Sequence, residues 1–156
     1  MISVGIDVSK GKSTVCILKP CGEIVSSPFD VEHTDSSLSE LANMILRLED
    51  EVKVVMEATG AYHVPVLTFL TDKKIFVSVI NPLVMKEYRC KGLRKAKTDR
   101  LDSKMIANYG LDNWFHLREY SPVTETYQAL KLLGRQYAHY MRMRIESMQV
   151  LTNMLD

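Results

Sequence analysis

The residues with the most chemistry in this chain are acidic. Asp99 and Asp102 stand three positions apart, close to one helical turn, so a helix would carry both on one face. Two like charges on a face repel, and a shared counter-ion is the usual relief. Asp7 and Glu57 lie at the ends of the β-branched runs Ile2–Val8 and Val52–Met56, which read as strands. If both strand ends and the helix meet at one edge of a sheet, four carboxylates converge. Crowded anions raise one another's pKa until a proton or a cation neutralises them. Mg²⁺ suits such a donor set, because it takes oxygen ligands, keeps several waters and bridges carboxylates to phosphate oxygens. Ions so held clamp the entering and leaving oxygens of an in-line displacement at phosphorus.

Each acid also has an ordinary reading. Asp7 serves equally well as a cap for the turn that contains Ser9. Glu57 reads as a surface strand end, and Asp99 and Asp102 as the acids that favour any helix N-terminus. Their joint placement on one edge is what favours the metal-binding reading. The pair also lies beside the most basic run of the chain, which holds Arg89, Lys91, Arg94, Lys95, Lys97 and Arg100 with Asp99 the only acid among them. Such a cluster would contact phosphates and add affinity without reading bases; a solvated loop is the plainer alternative. Ser9 and Lys10 could reach a phosphate, although a turn explains them as well. His33, His63, His116 and His139 have no ligand spacing, and Tyr62 and Trp114 read as core or interface residues.

The elements that must position these residues follow from periodicity. Strands are expected at Ile2–Val8, Ser13–Leu18 and about Glu23–Val31, with Pro20-Cys21-Gly22 as a hairpin signal. Asp35, Ser36 and Ser37 offer N-caps to a helix with Leu38, Leu41, Ala42, Ile45 and Leu48 on its apolar side. A strand ending at Glu57, a helix over Tyr62–Leu70, a strand over Ile75–Ile80 and a helix opening at Asn81-Pro82 come next. Thr98 is the expected N-cap of a helix from Asp99 to about Leu111, with Leu101, Met105, Ile106 and Tyr109 inward. A meander of three strands followed by two right-handed crossovers is the α/β topology of ribonuclease-H-like domains: a mixed five-stranded sheet with flanking helices. Residues 1–111 form this domain and 112–123 a connection; a long helical segment occupies 124–156. No stop signal ends that helix, so the chain is expected to continue.

Composition narrows the classes. The 156 residues suffice for one good core, and 46% apolar with 25% charged residues is ordinary for a globular protein. A net charge of +1 gives no global case for a polyanion partner, so that case rests on the local cluster. Cys16, Cys21 and Cys90 are odd in number and lack metal spacing, as expected of reduced thiols. Without a leader pattern or a membrane-length apolar run, a cytoplasmic protein with no membrane partner is expected.

The segments Gly5-Ile6-Asp7-Val8-Ser9-Lys10, Met56-Glu57-Ala58-Thr59-Gly60-Ala61-Tyr62, Asn81-Pro82 and Lys97-Thr98-Asp99-Arg100-Leu101-Asp102 resemble, in order and spacing, the signatures of the DEDD transposases. This family of bacterial insertion-sequence recombinases includes pilin-gene invertases and bridge-RNA-guided recombinases. The resemblance implies a RuvC-like N-terminal domain whose catalytic, Mg²⁺-binding tetrad is Asp7, Glu57, Asp99 and Asp102. Ser103 departs from the alanine more usual in the family, with no consequence expected. The resemblance further implies DNA as substrate, a guide RNA that reads sequence by pairing, and a C-terminal domain beyond Asp156 that supplies a serine nucleophile. This chain alone would then be inactive in recombination. Leu130, Leu133, Tyr137 and Tyr140 at heptad-like spacing favour self-association through the last helix over packing on its own domain. Two other readings stand: an actin-like small-molecule kinase fragment, which Gly5-Ile6-Asp7 also resembles, and a non-catalytic ribonuclease-H-like nucleic-acid-binding module.

Overall fold

A computed structural model describes residues 1–58, 60–90, 99–122 and 124–155. In chain order the elements are β1 (Ile2–Val8), β2 (Lys12–Leu18), β3 (Ile24–Glu32), α1 (Asp35–Leu46), β4 (Val52–Glu57), α2 (His63–Asp72), β5 (Val77–Ile80), α3 (Pro82–Cys90), α4 (Asp99–Asp112) and α5 (Glu125–Leu155). The chain divides into two compact units, Met1–Tyr120 and Ser121–Asp156. The first holds the mixed five-stranded sheet, ordered β3-β2-β1-β4-β5, with β1–β2 and β2–β3 antiparallel and β1–β4 and β4–β5 parallel.

Strand parity sorts the two faces of the sheet. Ile2, Val4, Ile6 and Val8 of β1, with Val54 and Met56 of β4, join Leu38, Leu41, Ala42 and Ile45 of α1 and Val66, Leu67 and Leu70 of α2 in the main core. Fully burying each such aliphatic side chain contributes about 1.5–3 kcal/mol. The opposite face carries Val55 of β4, packed with Met85 of α3 and Ile106 of α4, and Cys16 and Leu18 of β2, packed with Ala107. Helices therefore cover both faces, as the element order implies.

Local chemistry sets several boundaries differently from the expectation. Thr34, one residue before the expected caps, is the N-cap of α1, and its hydroxyl accepts from the Ser37 amide at 3.3 Å. Pro20-Cys21-Gly22 forms a one-turn 3₁₀ segment, with Cys21 at φ 63° and Gly22 at φ 79°. Ile75 is buried in the core, yet β5 begins only at Val77. Trp114 is buried, as expected, and its carbonyl accepts from Lys53 Nζ at 3.0 Å; Tyr62 is half exposed.

The inward face of α4 is the main correction. Leu101 is 42% exposed, whereas Asp102, Ser103, Ile106, Ala107 and Gly110 are the buried positions. The helix is turned so that its small residues meet β1. A Cβ on Gly5 would overlap the Ala107 amide nitrogen and the Ser103 carbonyl oxygen, and one on Gly110 would overlap the Ser3 hydroxyl. Backbone thus lies against backbone at Gly5. The Ser103 hydroxyl is satisfied within the helix by the Arg100 carbonyl at 3.1 Å.

The second unit contains α5, whose 31 residues span about 46 Å at 1.5 Å per residue. Leu130, Leu133, Tyr137 and Tyr140 are each at least 60% exposed. No helix among the described residues is long and apolar enough to cross a membrane.

Because rigid backbone faces Gly5, Gly5→Ala should destabilise the domain by at least about 3 kcal/mol through overpacking. Urea unfolding followed by circular dichroism checks this; an unchanged midpoint would contradict the close approach.

Candidate active site

Two strands deliver two of the four acids. Ile6 pairs with Met56 across the parallel β1–β4 ladder, so Asp7 and Glu57 emerge side by side at the carboxyl edge. Both share the parity of Gly5 and Val55, so both lie on the sheet face that α3 and α4 cover. The turn after β1 is closed without Asp7: the Ser9 amide and hydroxyl each donate to the Lys12 carbonyl at 3.0 Å. Among the described residues no hydrogen bond from Asp7 caps this turn.

Helix α4 delivers the others. Asp102 is 7% exposed on the helix face that packs over β1, and Asp99 is exposed one turn earlier. Asp7 senses the other three carboxylates. The Asp7 carboxyl is pushed up to about 6, first by burial, then by the charges of Asp102 and Asp99, with a smaller push from Glu57. Arg89 opposes that shift. Its Nη2 donates to Glu57 Oε2 at 2.8 Å, and its Nε lies 3.4 Å from Asp102 Oδ1. A cation expected on the nucleic-acid surface is therefore directed inward, between two of the acids.

The four acids make a donor set that would fit a hard divalent cation, because every candidate donor is a carboxylate oxygen. As arranged, no three Asp, Glu, His or Cys side chains among the described residues stand close enough to share one ion.

A family model for DEDD transposases, described simply as transposase, matches residues 4–156. The chain belongs to the DEDD transposase family. Solved structures agree on its fold. RuvC of Thermus thermophilus superposes with a TM-score of 0.52 at 13% identity, covering 73% of this chain and 95% of RuvC. T. thermophilus RuvC in complex with a Holliday junction substrate gives 0.50 at 14% identity, covering 77% and 99%. The sheet with its flanking helices is thus RuvC-like, that is, ribonuclease-H-like. No curated protein matches the chain.

In this transposase domain the remaining predicted contacts divide. Arg100 is exposed beside Asp99, while Lys91, Arg94, Lys95, Lys97 and the expected cap Thr98 lie outside the described residues. The structure also adds a row that sequence reading missed. Asp7 pairs with Thr14, and Thr14 with Asp30, across β1, β2 and β3. Asp30 accepts from the Thr14 hydroxyl at 2.8 Å and from Lys12 Nζ at 3.2 Å, and these bonds hold its carboxyl below the usual range. Lys12, Thr14, Asp30, Asp99 and Arg100 line one open hollow beside the acids. Alternation along β2 signals Thr14, but the β2–β3 register shifts near Val15–Leu18, so no simple count reaches Asp30.

The raised Asp7 pKa links stability to pH. The folded protein holds the Asp7 proton up to about pH 6, whereas the unfolded chain releases it near 3.8. Metal-free stability should therefore fall as pH rises across this window and stay low above it. Asp7→Asn removes the penalty, so it should stabilise the metal-free protein at pH 7 by about 1–2 kcal/mol after solvent screening. The gain should vanish below pH 4; thermal melts of both proteins at several pH values measure it.

Proposed function

We propose that this chain is the N-terminal catalytic domain of a DNA transposase, in which Asp7, Glu57, Asp99 and Asp102 form a Mg²⁺-binding tetrad for strand cleavage and exchange. One observation supports the reading: the parallel register sets Asp7 beside Glu57, and the Asp7 pKa is raised by burial first and then by the charges of Asp102, Asp99 and Glu57. Family membership supplies the reaction class. A bound Mg²⁺ would stabilise charge developing on phosphate oxygens. Each residue contributes through its position. Asp102, buried, is held in direction by the helix; Glu57 is fixed by the last residue pair of β4; Asp99 and Arg100, exposed, are open to a phosphate backbone.

The finer assignments rest on the resemblance between these motifs and the family. A serine in a further domain attacks the DNA strand, and a guide RNA supplies sequence reading. The basic residues Arg89, Lys91, Arg94, Lys95, Lys97 and Arg100 hold the backbone. The exposed apolar residues of α5 support self-association through that helix.

Asp102→Asn in the full-length protein should lower recombination by about a hundredfold or more while the chain still melts cooperatively. Undiminished recombination would remove Asp102 from the machinery. Lys95→Gln and Arg100→Gln should weaken binding to DNA of any sequence and each reduce the salt slope by about one. Fluorescence anisotropy across a salt series reads this directly; an unchanged slope would make these charges bystanders.

A further inference from the structure

The position of Arg89 has a consequence for how metal enters. We infer that Arg89 is an internal counter-ion of the acidic centre, and that its guanidinium must leave Glu57 and Asp102 before a divalent cation can bind there. This rests on the metal-binding reading above and deepens it.

Arg89 lies in the last turn of α3, and its side chain is 26% exposed, so the long stem reaches the acids from the rim. A guanidinium is always charged and presents a planar fork of donors, which suits a carboxylate pair better than a lysine would. The fork is not well used here. Nη2 makes a short bond to Glu57, but Nε is buried without a hydrogen-bond partner among the described residues and meets Asp102 only as a longer ion pair. One plane cannot align with two carboxylates that approach from a strand and from a helix. A buried donor without an acceptor destabilises this arrangement relative to a better-matched cation.

Arg89 and a divalent ion therefore compete for the same carboxylates. Occupation by the guanidinium reduces apparent metal affinity by the fraction of molecules in the closed arrangement. The displaced side chain, still at the rim, becomes available to a phosphate.

Mg²⁺ titrations by calorimetry at constant ionic strength, on this chain and on Arg89→Met, test the competition. Methionine keeps an apolar stem and removes the charge. The variant should bind Mg²⁺ about tenfold more tightly, with Arg89→Lys between the two. Equal or weaker binding by Arg89→Met would overturn the inference, because Arg89 would then support the metal site or be indifferent to it. A second readout needs no variant. The Nε–H resonance of Arg89 in the wild-type nitrogen-15 spectrum should be protected without metal and lose that protection as Mg²⁺ is added, but not with matched NaCl. Persistence of the protected signal in Mg²⁺-bound protein would also overturn it. Absence of Mg²⁺ binding in both wild type and Arg89→Met would overturn the metal-binding reading itself, and this inference with it.

Discussion

The contact between α4 and β1 at Gly5 governs the rest of this domain. A strand normally presents side chains to a helix across its face, which keeps the two backbones well apart. Here Gly5 has no side chain, and the amide of Ala107 and the carbonyl of Ser103 occupy the space a Cβ would need. Gly110 repeats the approach over Ser3. This closeness lowers the first turn of α4 towards the sheet edge, where Asp102 becomes buried near Asp7. With a larger residue at position 5, the helix would ride higher and the carboxylates would separate. The site is in this sense a product of packing, with the chemistry placed by two glycines that do none.

Such closeness has an electrostatic cost. Burying carboxylates together opposes folding unless protons, cations or donors compensate. The structure uses a proton affinity raised at Asp7 and one guanidinium at Glu57 and Asp102. Asp30, two strands away from Asp7, shows the contrasting solution: the Thr14 hydroxyl and Lys12 satisfy it locally, and its pKa falls. Neighbouring acids on one sheet face therefore differ in role by environment alone. Asp30 is a settled ion pair, whereas Asp7 keeps a raised affinity for its proton.

Much of this was legible in the sequence, for reasons that can be named. Alternation along Ile2–Val8 and the short apolar run Val52–Met56 marked both as strands, so the acids at their ends were read onto one carboxyl edge. The element order then dictated the sheet, since a meander and two crossovers leave few topologies. The face of α4 was harder. Leu101, Met105, Ile106 and Tyr109 look like an apolar stripe, yet the helix buries Asp102, Ser103, Ala107 and Gly110 beside Ile106. Hydrophobicity failed there because the neighbour is bare strand backbone, which accepts small residues and excludes leucine. Arg89 was only half read, by a related mechanism. Its charge belongs to a basic run, but the turn of α3 on which it sits points it at the acids, and only the fold knows that direction.

The placement of Arg89 also explains how a cluster of acids can fold before it has a ligand. Without any counter-charge, the anions would either take up protons or push α4 away from β1, and the Gly5 contact would oppose the second outcome. A guanidinium offers a third. It holds the acids in their approximate positions while leaving one of its own buried donors unmatched, so the arrangement is ordered but not optimal. A divalent ion carries twice the charge in a smaller volume and accepts waters where protein ligands are missing. The closed arrangement is therefore ordered by the same charges that a metal would use, and the imperfect fit of the guanidinium is what would allow the proposed exchange. A better-fitted arginine, with both carboxylates aligned to its fork, would stabilise the empty domain further and make that exchange harder.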